Sequence, residues 1–219
     1  MNTAIILSGG VGSRFGSKIP KQYLDLCGRP VIDYVVDAAF NSEAIDEIVL
    51  VIDKEYLNLI NLKDTKKVHI VSNGKERVNS VKNALDYIYR EIPDCENVII
   101  LQAVSPFVTP NLIEKYIEAL NMYDVVTTAE KCVGEIFNVN KYQKMNRNNY
   151  YFCQSPEAFK FKDLYKYLDL NSPYTELIYH YKHEPKIYYY FDFENNIKLT
   201  YKADLDYANF LMKRLKNID

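Results

Sequence analysis

Five short apolar runs, Ala4–Leu7, Ile48–Ile52, Val68–Val71, Val98–Gln102 and Val125–Thr128, recur along the chain with amphipathic stretches between them. That alternation limits the fold more than any other feature. Runs of this length read as buried strands. The intervening segments Val31–Phe40, Asn79–Tyr89 and Asn111–Leu120 carry apolar residues at helical spacing, and the last follows Thr109-Pro110, an N-cap and first-turn pair. The pattern predicts an α/β fold, a doubly wound, mostly parallel sheet with helices on both faces. A length of 219 residues with 48% hydrophobic side chains is enough for a full core, so residues 1–219 read as one domain. In open sheets of this kind ligands sit at the carboxyl ends of the strands, which directs attention to segments 8–21, 72–80 and 102–106.

The first of these segments, Ser-Gly-Gly-Val-Gly-Ser-Arg-Phe-Gly-Ser-Lys-Ile-Pro-Lys, directly follows the first apolar run. Gly9, Gly10 and Gly12 permit close backbone approach after Leu7 and Ser8, so that N–H groups can point at a phosphate oxygen. Arg14, Lys18 and Lys21 add positive charge at the same mouth, where a transferring phosphoryl group needs its developing charge neutralised. Pro20 keeps residue 19 out of helical geometry. The spacing is wrong for a Walker loop, because Gly-Ser-Lys at 16–18 does not supply Gly-Lys-Ser/Thr, and Gly10, Gly12 and Gly16 miss the dinucleotide fingerprint. What remains is a triphosphate-binding loop of another kind.

The segment Gly74-Lys75-Glu76-Arg77-Val78-Asn79-Ser80 joins a strand to a helix, and Ser80 either caps or lines that helix start or faces the same crevice. From about 131 to 150 the pattern turns polar and asparagine-rich, with an alternation over Glu135–Asn140 that suggests a strand. A stretch this long inside a compact domain reads as a projecting arm, a hairpin reaching a partner. Residues 152–159 read as a helix-opening turn, and the chain ends with a helix over Lys202–Lys213.

Net charge near −2 argues against a nucleic-acid partner held by bulk electrostatics, so an anionic ligand must be bound by local cations. With no apolar stretch long enough to span a bilayer and no leader, the expectation is a cytoplasmic protein without a membrane partner. Cys27, Cys95, Cys132 and Cys153 lack metal spacing and read as reduced packing residues. Tyr188-Tyr189-Tyr190 reads as ordinary strand sequence.

Four motifs taken together carry a resemblance: Gly-Gly-x-Gly-x-Arg-x-Gly-x-x-x-Pro-Lys-Gln-Tyr-Leu at 9–24, Gly-x-x-Arg-x-x-Ser at 74–80, Gln-Ser-Pro-x-x-Phe at 154–159 and Asn-Ile-Lys-x-Thr at 196–200. In order and spacing the chain resembles the cytidylyltransferases that act on methylerythritol phosphate or ribitol phosphate. The resemblance implies a Rossmann-like nucleotidyltransferase fold with a protruding β-arm that builds a homodimer. It implies that Arg14, Lys21 and Lys198 neutralise the triphosphate and the α-phosphorus, and that Ser8, Gly9, Gly74 and Ser80 read the cytosine. Leu7, Gly10, Gly12, Lys75, Arg77 and Gln102 complete the nucleotide-binding set, with Lys75 replacing an acidic residue often found in the base-reading loop. Arg147 falls where the family presents an arginine across the dimer interface to the acceptor's phosphate, and Ser105, Lys131, Cys132 and Ser155 fall at acceptor positions.

The departures lie on the acceptor side. The family loop His-Asp-Ala-Ala/Val-Arg-Pro is here Leu101-Gln102-Ala103-Val104-Ser105-Pro106, without its aspartate and arginine, and a family Asp-Thr pair in the arm is Lys131-Cys132. Gln102 is a poor magnesium ligand, so Glu194 is the candidate substitute for holding Mg²⁺. These changes point to CTP-dependent transfer of CMP to an altered polyol- or sugar-phosphate acceptor. The alternatives are methylerythritol 4-phosphate itself, or a nucleotide-binding relative that has lost turnover.

Overall fold

The computed structural model describes residues 1–10, 15–17, 19–62 and 67–216. In chain order the strands are β1 (Asn2–Leu7), β2 (Asp25–Leu26), β3 (Arg29–Pro30), β4 (Glu47–Val51), β5 (Val68–Val71), β6 (Asn97–Gln102), β7 (Val125–Lys131), β8 (Ile136–Asn138), β9 (Gln143–Met145), β10 (Tyr151–Lys160) and β11 (Ile187–Tyr190). The helices are α1 (Val31–Phe40), α2 (Arg77–Glu91), α3 (Pro110–Ala119), α4 (Phe161–Tyr167) and α5 (Lys202–Lys216). Seven strands make the main sheet in the order β11-β7-β10-β6-β1-β4-β5. The five strands and four of the helices expected from the sequence are present, with ends shifted by a few residues.

Strict alternation along the central strands divides the core into two layers. Ala4, Ile6, Leu50, Ile99 and Leu101 pack with Ile32 and Val35 of α1 and with Ile113 and Tyr116 of α3. Ile5, Val49, Val51, Val98 and Ile100 pack on the opposite face with Val81, Leu85 and Ile88 of α2 and Leu164 of α4. Each such fully buried aliphatic contributes roughly 1.5–3 kcal/mol, an upper bound because unfolded chains already bury some apolar surface. A third cluster of Leu26, Val31, Phe107, Leu199 and Met212 fastens α5 and the 196–200 segment beside the loop that follows β6.

Helix starts are set by local chemistry. Thr109 Oγ1 accepts from the Leu112 N–H at 3.2 Å, with Pro110 in the first turn of α3. At α2 the cap is Glu76, which exchanges a capping box with Asn79, so Ser80 does not cap this helix.

One expectation fails. Residues 152–159 do not open a helix but form the body of β10, which runs antiparallel to both β6 and β7. The register places Gln154 opposite Thr128 and Glu157 opposite Thr127, so Ser155 and Pro156 form a bulge. At a bulge the missing proline N–H removes no ladder bond, and a Pro that reads as a helix opener in sequence is accommodated in a strand. The helix begins only at Phe161.

Between β7 and β10 the chain makes the hairpin β8–β9, in register Ile136 to Met145. Val133, Val139 and Tyr142 there are 85%, 77% and 88% exposed. The four cysteines are free, with Cys95 and Cys132 buried. Among the described residues no helix is long and apolar enough to cross a membrane.

Candidate active site

The chain runs from β1 outward to β4 and β5, then returns to place β6 on the other side of β1. This reversal opens a crevice at the carboxyl ends of β1 and β6, where Leu7 and Gln102 stand side by side. A cavity of about 510 Å³ occupies it.

Its first wall is the turn after β1, through Leu7, Ser8, Gly9 and Gly10. The Ser8 N–H donates to the Val51 carbonyl at 2.9 Å, and the Leu7 carbonyl accepts from the Ala103 N–H at 3.0 Å. Gln22, only 2% exposed, donates its amide to the carbonyls of Ser8 at 2.6 Å and Gly10 at 3.0 Å. Ser8 Oγ and the Tyr23 hydroxyl are 2.8 Å apart, and burial pushes the Tyr23 pKa up, keeping it protonated. The turn is thus braced from behind by Gln22 and Tyr23, which follow Pro20-Lys21 in the sequence.

The second wall is the loop from Asn73 to Ser80. A Cβ on Gly9 would lie 2.5 Å from Asn73 Cβ, so the two walls touch only because residue 9 has no side chain. A Cβ on Gly74 would lie 2.3 Å from Asn79 Cβ and 2.8 Å from the Ser80 nitrogen. Ser80 Oγ accepts from the Gly74 N–H at 3.0 Å, which folds the loop back onto the first turn of α2. Arg77 lines the cavity and donates to Glu157 Oε2 at 3.1 Å and to the Thr175 carbonyl.

Lys21 and Lys198 come to the same cavity from distant parts of the chain. Lys198 is held there by its neighbours: the Leu199 N–H donates to the Val104 carbonyl at 2.9 Å, and Asn196 Nδ2 donates to the Ser155 carbonyl at 3.0 Å. Among the described lining residues Lys21, Lys75, Arg77 and Lys198 are cationic and Glu76 is the one carboxylate. A chain of net charge −2 therefore concentrates positive charge at one mouth, the field an incoming polyphosphate needs.

Other residues singled out in the sequence lie elsewhere. Gly12, Arg14 and Lys18 are outside the described residues. Ser105 is buried behind the loop, and Ser155 Oγ donates to the Ile100 carbonyl at 3.4 Å; neither lines the cavity. Arg147 is in the arm, donating to the Val133 carbonyl at 2.6 Å, and Lys131, at the root of the arm, lies over the Phe191 ring beside the buried Cys132. Glu194 lines a different cavity with Arg29, Phe107 and Lys216, so its carboxylate is not placed to stand in for an acid beside Gln102. Gln22, Asn73, Glu76 and Val104 line the site without having been singled out. Gln22 had a signal, as the residue after Lys21 inside the first motif; the others had none beyond proximity to strand ends.

The model of the family "IspD: 2-C-methyl-D-erythritol 4-phosphate cytidylyltransferase" matches residues 2–214. The chain belongs to this family. It is a nucleotidyltransferase of the cytidylyltransferase type, with an α/β fold like that of its solved relatives. It is 31% identical over 222 residues to the 2-C-methyl-D-erythritol 4-phosphate cytidylyltransferase of Thermosipho melanesiensis, covering 94% of this chain and 95% of that one. It is equally 31% identical over 232 residues to the bifunctional ribulose 5-phosphate reductase/CDP-ribitol pyrophosphorylase of Haemophilus influenzae, covering 97% of this chain but 48% of that protein. It likewise spans 44% of the bifunctional IspD/IspF enzyme of Pelagibacter ubique, at 33% identity over 164 residues. The crystal structure of 4-diphosphocytidyl-2C-methyl-D-erythritol synthase from Anaerococcus prevotii superposes with a TM-score of 0.81 at 27% identity, covering 97% of this chain and 98% of that one.

Proposed function

We propose that the protein transfers CMP from CTP to a polyol- or sugar-phosphate acceptor other than methylerythritol 4-phosphate. The observation that carries the reading is the loop after β6: a neutral Gln102 lines the cavity at the strand end, and Ser105, at the family's arginine position, is buried away from it. The exchange of the arm's family Asp-Thr pair for Lys131-Cys132 points the same way. The 31% identity to a CDP-ribitol pyrophosphorylase, equal to that with a methylerythritol 4-phosphate enzyme, is in keeping with a pentitol phosphate.

In this reading an oxygen of the acceptor phosphate attacks the α-phosphorus of CTP. The bond from that phosphorus to the oxygen bridging to the β-phosphorus breaks, and pyrophosphate leaves with the electron pair, giving a CDP-linked product. The acceptor phosphate is ionised at neutral pH, so no general base is required, and catalysis rests on positioning and charge stabilisation. Lys21 and Lys198 meet the phosphates, with Arg14 as a third cation from the same loop. Backbone groups of Ser8, Gly9 and Gly74 with the Ser80 hydroxyl meet the cytosine. Among the described residues no group of three His, Cys, Asp or Glu side chains is placed to hold a metal. A magnesium ion entering with CTP would need few protein ligands and would neutralise phosphate charge beside Lys21 and Lys198. We place the protein in the cytoplasm as a homodimer whose arm, residues 131–150, lends Arg147 to the neighbour's acceptor site; a surface polymer is a suitable destination for the product.

The test is an acceptor screen with CTP, read as pyrophosphate release. A pentitol, glycerol or other sugar phosphate is expected to exceed methylerythritol 4-phosphate in kcat/KM, because a pocket built to hydrogen-bond one polyol discriminates strongly against another. The highest kcat/KM for methylerythritol 4-phosphate would overturn the altered acceptor. CTP binding with no turnover on any acceptor would favour a non-catalytic relative.

A further inference from the structure

The ion pair between Arg77 and Glu157 is unusual in where its two halves lie. Arg77 is the first residue of α2 and lines the nucleotide cavity, with its side chain 27% exposed. Glu157 lies in the middle of the sheet, one residue beyond the bulge in β10, opposite Ile100 of β6 and Thr127 of β7, with its side chain 2% exposed. Removing a carboxylate from water is costly, and an apolar pair of the same volume would hold a strand and a helix together at least as well. The pair therefore does little for the core that Ile or Leu would not do.

What it does provide is direction. Glu157 Oε2 accepts from Arg77 Nη2 at 3.1 Å while Nη1 donates to the Thr175 carbonyl, so a planar guanidinium has two of its nitrogens fixed. Arg77 directly follows Glu76, whose capping box with Asn79 sets the start of α2, and Ser80 in the same turn holds Gly74. Fixing Arg77 fixes the loop that forms the second wall. The same stretch of β10 also holds the opposite wall: Asn196, two residues before Lys198, donates to Gln154 Oε1 at 3.3 Å and to the Ser155 carbonyl at 3.0 Å.

We propose that Glu157 is a positioning residue for the nucleotide site, orienting Arg77 and the 73–80 loop against the cavity from within the sheet. The proposal rests on the cytidylyltransferase reading, and it extends that reading to a residue that does not itself reach the substrate. The test measures CTP affinity by titration calorimetry with MgCl₂ present, alongside thermal melts. Glu157→Ala is expected to weaken CTP binding tenfold or more, Arg77→Ala to weaken it comparably, and the double variant to be no weaker than the worse single, the non-additivity expected of residues in contact. Glu157→Gln, which keeps an acceptor oxygen for Arg77, is expected to stay within about threefold of wild type, as a group retaining its hydrogen bond should. Should Glu157→Ala not fold, Glu157→Asp withdraws the carboxylate by one methylene while keeping the charge, and is expected to lose CTP affinity in the folded protein. A folded Ala or Asp variant with wild-type CTP affinity and only a lowered Tm overturns the proposal. Wild-type protein that does not bind CTP would instead overturn the nucleotide reading on which it rests.

Discussion

Substituting Gly74 by alanine tests whether the second wall of the site is held by close packing rather than by backbone conformation. Gly74 has no positive φ, so alanine is permitted there by torsion alone. Space is what forbids it: the new Cβ would lie 2.3 Å from Asn79 Cβ, 2.7 Å from the Asn79 carbonyl carbon and 2.8 Å from the Ser80 nitrogen. Carbon atoms rest at about 3.5–4.0 Å, so the loop and the first turn of α2 must separate by more than ~1 Å. All three obstructing atoms are in or bonded directly to helix backbone, and no rotamer change relieves them. That separation strains the bond from the Gly74 N–H to Ser80 Oγ at 3.0 Å and the capping contact from the Glu76 N–H to Asn79 Oδ1 at 3.2 Å. Overpacking of this kind costs about 1–3 kcal/mol, and a lost cap about 1 more. For a domain of this size, that is a Tm drop of roughly 4–16 °C. Gly10→Ala is the matched control, since Gly10 lines the same cavity and a Cβ there meets nothing within 4 Å. Differential scanning calorimetry with CTP titration is the assay, with Gly74→Ala expected to lose stability and CTP affinity together and Gly10→Ala to keep its Tm. Equal melting temperatures for the two variants would refute the packing argument.

Lys21→Ala is expected to lower turnover by ~10²–10⁴, the scale of removing a preorganised transition-state donor, with its melt unchanged; steady-state rates near wild type would remove Lys21 from the chemistry. Mixed dimers of Arg147→Ala and Lys21→Ala subunits are expected to recover up to about a quarter of wild-type activity if each site takes Arg147 from the neighbour, as statistical mixing of a C₂ dimer requires; a monomer by light scattering removes that expectation. For Glu157, burial raises the pKa more than Arg77 lowers it. A carboxyl held more tightly protonated in the folded state makes stability fall as pH rises from the ordinary glutamate value near 4.3 through the raised folded value. Urea unfolding of wild type and Glu157→Gln across that range is expected to give a difference in ΔG that grows with pH in favour of Gln, and a flat difference contradicts the burial argument.

Most of the sheet was legible in the sequence because its strands are short continuous apolar runs, and α1 was legible to the residue from its stripe over Val31–Phe40. The three loops of the cavity followed from the rule that places ligands at strand ends. What was not legible depends on contacts across the sheet. β10 was misread because Gln154-Ser155-Pro156 has the composition of a turn, and only its pairing with β6 and β7 makes it a strand. Glu157 gave no sign as a partner for Arg77, 80 residues away in the chain. Ser80 was open between two readings, and its bond to the Gly74 N–H, rather than a cap, decides where its hydroxyl is used.

The sheet order has a consequence for when this site comes into being. β1 lies between β4 and β6, so the first strand cannot be enclosed until residue 102 has left the ribosome. At that moment the two glycine walls and Gln102 can already meet. Lys198 emerges about a hundred residues later, which at ~5–20 residues per second is an interval of roughly 5–20 s. During it a nascent chain can fold the half that carries both glycine walls while lacking the cation from the far end. β10, which must slide between β6 and β7 and carries Glu157, also arrives in this interval. A ligand that binds the early walls during synthesis would favour closure of the remaining strands around it.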